Sequence, residues 1–97
     1  MAAFISLVRY TEQGIRSVKD SPTRLDATKK AFQAAGGELK QFFLVMGEYD
    51  IVIVSEAPDD ETAARVSLAL GALGNVRTET LRAFSEPEFR KIIGSIK

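Results

Sequence analysis

Apolar and polar positions along the chain fall into two rhythms. Short runs rich in β-branched and aromatic residues predict four strands: "AFISLVRY" (Ala3 to Tyr10), "ELKQFFLVM" (Glu38 to Met46), "DIVIVSEA" (Asp50 to Ala57) and "VRTETLRAF" (Val76 to Phe84). Between them the spacing changes to that of helices. In "SPTRLDATKKAFQAAGG", Leu25, Thr28, Phe32 and Ala35 share one face, with Ala31 beside them. "ETAARVSLALGALG" predicts another helix, and "SEPEFRKIIGSI" a terminal one whose apolar stripe is Phe89, Ile92, Ile93 and Ile96. A short helix, "EQGIRSVKD", is predicted after Thr11 as its cap, with Gly14 weakening it.

Punctuation supports these boundaries. Ser21 is the expected N-cap of the first long helix, Pro22 suits its first turn, and Gly36-Gly37 stops it. Pro58 ends the third strand, Asp59 and Asp60 offer caps for the next helix, and Gly74-Asn75 closes it. Ser85 and Glu88 stand at capping-box spacing. The order is β-α-β-β-α-β plus a terminal helix, spread over residues 1–97 as one domain. Two βαβ halves joined by a hairpin at Gly47 predict an α+β fold: a ferredoxin-like sandwich, an antiparallel sheet with helices on one face.

A sheet covered on one side and wet on the other should alternate apolar and polar residues. Ile51, Val52, Ile53 and Val54 do not alternate, and neither do Phe42, Phe43, Leu44 and Val45. One helix layer covers one face. The terminal helix is small for the other, so a second copy of the chain, sheet against sheet, is the expected cover.

Composition narrows the chemistry. Thirteen basic residues balance thirteen acidic ones, which gives no electrostatic reason to expect nucleic acid or an anionic membrane. No histidine and no cysteine are present. This removes disulfides, thiol chemistry, the commonest general base and the commonest zinc ligand. The expectation is no cofactor and no transition metal, since carboxylates and carbonyls suit hard ions. "MAAFISLVRY" reads as neither a signal peptide nor a membrane span, so the cytoplasm is the expected compartment.

Four groups of residues are candidates for chemistry. In "GEYD", Gly47 supplies a positive φ to the turn and Asp50 bonds nearby backbone N–H groups; the competing reading makes Asp50 a base or ligand anchor, with Tyr49 beside it. The turn role is favoured. In "RTET", Thr78 and Thr80 share one strand face and Arg77 and Glu79 the other; an edge strand explains this pattern, and two hydroxyls facing a ligand is the alternative. Arg9 and Tyr10 end the first strand and Arg24 starts the main helix, and an arginine near Asp50 or Glu56 could hold a carboxylate ligand. Phe32, Phe42, Phe43 and Phe89 could line an apolar pocket, although such spacings usually mean core. The ligand-binding candidates are therefore Arg9, Tyr10, Tyr49, Asp50, Thr78 and Thr80, with Gly47 and Asp50 as turn residues and no catalytic residue assigned. No glycine-rich phosphate loop follows a strand, so a nucleotide is not expected.

The segments "LVRYTEQGIR", "MGEYDIVIVSEAPDDE" and "GNVRTETLRAF" closely resemble the GYD-domain family, whose Gly-x-Tyr-Asp signature falls on Gly47, Tyr49 and Asp50. The resemblance spans nearly the whole chain. It implies a dimeric α+β barrel, in which ferredoxin-like subunits pair through their sheets, and it implies no established activity. A more distant similarity is to the effector-sensing domain of Lrp/AsnC-type regulators, with "GNVRTET" at the fourth strand. The DNA-binding helix-turn-helix of those regulators has no counterpart, so a stand-alone domain is expected.

Two functions compete, beside a blander reading as an assembly protein with no small ligand. One is a homo-oligomeric module that binds a small molecule or a protein without catalysis, and it is favoured. The other is a cofactor-free enzyme of the dimeric-barrel type, a monooxygenase or isomerase acting on a small aromatic or lactone substrate. It would have to use Asp50, Tyr49, Tyr10 or an arginine. A concave pocket with convergent polar groups, one of them buried, would speak for the enzyme.

Overall fold

A computed structural model describes residues 1–97. Its elements are β1 (Ala2–Tyr10), α1 (Glu12–Arg16), a 3-10 turn (Val18–Asp20), α2 (Ser21–Ala34), β2 (Glu38–Leu44), β3 (Ile51–Ala57), α3 (Asp60–Ala72), β4 (Val76–Ala83) and α4 (Glu86–Gly94). The four strands form one sheet in the order β2-β3-β1-β4, with every neighbouring pair antiparallel. This is the ferredoxin-like α+β arrangement that the element order predicts.

The register assigns each strand residue to a face. Ser6 lies opposite Ile53 and Thr80, and Val8 opposite Ile51 and Thr78. Side chains alternate across a strand, so Phe4, Ser6, Val8, Tyr10, Ile51, Ile53, Thr78 and Thr80 share the face beneath α2 and α3. Ile5, Leu7, Val52, Val54, Phe43 and Leu81 share the other. The buried apolar residues belong to the helix face or to the helices over it: Phe4, Val8, Phe32, Ile51, Ile53, Ala57, Ala63 and Val66. They form two clusters. Phe4, Ala57 and Ala63 close one end of the sandwich, and Val8, Ile51 and Ile53 floor the other. Between them runs a polar seam, in which Thr80 Oγ1 lies 3.1 Å from Ser6 Oγ and 3.0 Å from Ser67 Oγ.

Local sequence explains the element ends. Asp59, extended at φ −157°, accepts from the Thr62 N–H at 2.8 Å and starts α3. Hydrogen bonding from Thr62, its side chain first and its N–H second, holds the Asp59 carboxyl below its ordinary pKa. Ser85 and Glu88 make the reciprocal capping box of α4, and the bond from the Ser85 N–H lowers the Glu88 pKa. Gly36, at φ 83°, takes the left-handed turn that ends α2, and the Gly37 N–H closes it on Phe32 O at 2.8 Å.

The structure corrects several expectations. The predicted helix over residues 12–20 breaks at Ser17 into α1 and the 3-10 turn. Because that turn runs straight into α2, the residue before the helix is Asp20, and Ser21 is its first residue. The Ser21 hydroxyl is thereby free for tertiary bonds. Gly14 does more than weaken α1: it is buried, and a Cβ there would overlap the carbonyl oxygen of Asn75. Only glycine lets α1 sit against the turn before β4. Strand β2 stops at Leu44 and not at Met46. The apolar stripe of α4 covers nothing: Phe89, Ile92, Ile93 and Ile96 are all exposed, and Ile96 lies past the helix end.

Candidate functional site

The start of β3 explains why an aspartate stands there. Strand β1 runs two residues beyond the point where Val8 meets Ile51. The Tyr10 N–H has no strand carbonyl on that side, and Asp50 Oδ2 accepts it at 2.9 Å. The Asp50 N–H donates to Val8 O at 2.9 Å, and its carbonyl accepts from the Val45 N–H at 2.8 Å. One residue thus sews the hairpin to the end of β1. Gly47, at φ 148°, turns the chain into this corner with open space around it.

Tyr49 and Arg9 lie on the bare side of the sheet. The Arg9 guanidinium sits 4.6 Å from the centre of the Tyr49 ring and pairs with Glu48. The Tyr49 hydroxyl donates to Glu79 Oε2 at 2.7 Å. That bond is the main cause of a raised Tyr49 pKa. The result is a charged rim at one end of the apolar bare face. Glu56 lies on the same face, 4.0 Å from Lys40 Nζ, which is itself 3.0 Å from Glu38.

On the opposite face, the same end of the sandwich is hollow. Helices α2 and α3 stand apart over the Val8 cluster and leave a cavity of about 440 Å³. Fourteen of its 21 lining residues are hydrophobic, which makes it an apolar site with a few polar positions. Phe32 and Phe42 line it; Phe43 and Phe89 do not. Its polar groups gather where β1 ends and α2 begins. The Tyr10 hydroxyl lies 2.8 Å from Ser21 Oγ. Arg24 donates to Ser21 Oγ and to the carbonyl of Gly14 at 3.1 Å, and to the carbonyl and hydroxyl of Ser17 at 3.2 and 3.0 Å. These partners are all neutral, and Arg24 is the only charged residue of the lining. Asn75 stands at the same end, its Oδ1 accepting from Gln13 Nε2 at 3.1 Å.

The six ligand-binding candidates therefore do not form one site. Tyr10 and Thr78 line the cavity. Thr80 faces the same way but is occupied by Ser6 and Ser67. Arg9 and Tyr49 belong to the bare face, and Asp50 joins the two sides through the Tyr10 backbone. Ser21 and Asn75 enter the cavity unannounced, because as sequence they read as a cap and a stop signal. Arg24 has Asp20 four residues before it, the spacing of an ordinary helix pair, yet it bonds elsewhere. No group of three or more acidic residues stands close enough to hold a metal ion.

A family model described as the GYD domain matches residues 4–93. A Thermus thermophilus protein named "Glutamine synthetase and cystathionine beta-lyase binding protein" is 34% identical over 84 residues, which cover 86% of this chain and 88% of that relative. Among solved structures, the crystal structure of a protein from Thermus thermophilus superposes with a TM-score of 0.56 at 26% identity, covering 88% of this chain and 95% of that one.

Proposed function

The chain belongs to the GYD family, and from that premise we propose that it is a homo-oligomeric interaction module without catalysis of its own. Two copies pair through the bare sheet face, the assembly docks on a metabolic enzyme in the cytoplasm, and the cavity takes a small molecule. The observation that carries this reading is the relative named as a binding protein for glutamine synthetase and cystathionine beta-lyase. Enzymes of that kind are the expected partners here.

Two physical features support the reading. Ile5, Leu7, Val52 and Val54 form an apolar patch on the uncovered face, and surfaces of that character mark interaction sites. The cavity offers Tyr10 and Arg24 as its only titratable side chains, with Asp50 outside the lining. A cofactor-free monooxygenase or isomerase needs a base placed against its substrate, so this lining suits binding better than turnover. No helix is long and apolar enough to cross a membrane.

The test uses purified components. Light scattering of the full chain should give at least twice the chain mass. Leu7→Glu, which places a charge in the middle of the patch, should give single-chain mass with unchanged helical circular dichroism. Immobilised wild-type protein should bind purified glutamine synthetase or cystathionine beta-lyase saturably. A single-chain mass for wild type would refute the pairing, and no binding of either enzyme at any soluble concentration would refute the partner class.

A further inference from the structure

We propose that the cavity is a binding site for a small monocarboxylic acid with an apolar body, held by Arg24, the Tyr10–Ser21 hydroxyl pair and Asn75. This deepens the small-molecule part of the reading above and rests on it. The cavity opens to solvent between α2 and α3, where Ala27, Ala31, Ala69 and Leu73 are exposed. At roughly 30 Å³ per water, the 440 Å³ here is room for about fifteen. Its walls are Leu25, Phe32, Phe42, Val66 and Leu70 with the floor of Val8 and the β3 isoleucines. Such walls hold water poorly and a hydrocarbon or aryl group well.

The polar end fixes the ligand class through its donors. Two hydroxyls, Tyr10 and Ser21, share one hydrogen bond. Each carries one hydrogen. Whichever donates to the other, the second hydrogen is left for a third partner. Arg24 spends its Nη groups on neutral acceptors and makes no ion pair with any carboxylate of the chain. Its Nε–H remains to be bonded. Asn75 has its Oδ1 engaged by Gln13, and its amide N–H groups remain. The hydrogens left free at this end belong to one hydroxyl of the Tyr10–Ser21 pair, the Asn75 amide and the Arg24 Nε, the last on a full positive charge. Their complement is an anion with several acceptor sites, and a carboxylate can take the single Arg24 Nε–H with one oxygen and the hydroxyl or amide donors with the other. The same inventory argues against amino acids and amines, because no carboxylate lines the cavity to receive an ammonium group.

The GYD corner then has a definite relation to the site. Asp50 bonds the backbone of Tyr10, the residue whose hydroxyl meets Ser21 at the cavity. It is a positioning residue and does not reach the ligand space.

Three probes of equal chain length separate the outcomes in calorimetric titration of the wild-type assembly: decanoate, decanol and decylamine. Decanoate should bind saturably with one site per chain, and decanol at least tenfold more weakly. Arg24→Gln should cost decanoate at least tenfold and leave decanol unchanged. Ala31→Phe, which narrows the cavity at its α2 wall, should weaken decanoate and decanol binding alike, at least tenfold. Equal affinity for decanoate and decanol would overturn the carboxylate class and leave the cavity as a ligand site. Tighter binding of decylamine, or decanoate binding unchanged in both Arg24→Gln and Ala31→Phe, would overturn the proposal. Failure of all three probes would overturn the small-molecule reading with it, while pairing and enzyme binding would stand on their own measurements.

Discussion

The two faces of the sheet begin from nearly the same raw material and end differently. Along β1, Phe4, Val8 and Tyr10 go under the helices while Ile5 and Leu7 go to the bare side. In β3, Ile51 and Ile53 are covered while Val52 and Val54 are not. Phe4 retains 4% of its surface exposed and Phe43, on the other face, 50%. Hydrophobicity is thus a poor guide to which side a chain can cover by itself. What differs is the neighbourhood. The helix side carries small and hydroxylated partners that let α2 and α3 approach, such as Ser6, Ser67, Ala57 and Ala63. The bare side carries a rim of Arg9, Glu48 and Glu79 and no element of its own chain. Even the covered side is incomplete, packed around Phe4 and hollow beyond Val8.

The largest expected effect tests that contrast directly. Phe4→Ala removes a buried ring and should cost about 3–5 kcal/mol whatever the protein concentration. Phe43→Ala in the separated chain should cost about 1 kcal/mol or less. If the bare face is where copies pair, the Phe43→Ala loss should grow with protein concentration, since association adds to apparent stability. Denaturation at two widely spaced concentrations measures both. Equal, concentration-independent losses would erase the distinction between the faces.

Gly14→Ala comes next. It forces α1 away from the Asn75 carbonyl, and overpacking of this kind costs about 1–3 kcal/mol, more where backbone must move. Because α1 and the turn before β4 border the hollow end of the covered face, the variant should also weaken any cavity ligand. A neutral effect in thermal denaturation would mean that this end is looser than it looks.

Asp50→Ala should cost about 1–3 kcal/mol by leaving the Tyr10 N–H unpaired in a half-buried corner. For a chain of this size that is a fall of roughly 4–8 °C per kcal/mol in melting temperature. Asp50→Asn keeps an acceptor oxygen and should recover part of the loss. A stable or stabilised Asp50→Ala would transfer this residue from the frame to the chemistry.

The smallest effect concerns the rim of the bare face. The Tyr49 pKa is raised, chiefly by the bond to Glu79. The folded state therefore holds that proton more tightly than the unfolded state. Its contribution is complete below the ordinary tyrosine value of about 10 and is lost as pH rises through the higher folded value. Tyr49→Phe should flatten the alkaline limb of a stability–pH curve and leave the acid limb alone. The acid limb belongs to Asp59 and Glu88, whose pKa values are lowered. Their contributions are present above about 4 and disappear as pH falls through the folded values.

Much of this protein is written in local chemistry. The four strands, the Asp59 cap, the Ser85–Glu88 box and the Gly36 stop depend on residues within a few positions of one another, so their signals survive in one dimension. The twofold apolarity of β3 also survives, because alternation is a property of the strand itself. Three things needed the third dimension. Ser21 and Asn75, distant in sequence, come together only when α1 closes on the turn before β4 over Gly14. The six candidate residues separate to two sides because strand parity sends Arg9 one way and Tyr10 the other, a consequence of register and not of composition. The cavity exists because α2 and α3 settle at a distance that no single helix encodes. Helix faces are specified by periodicity, but the gap between two helices is set by all the side chains beneath them at once.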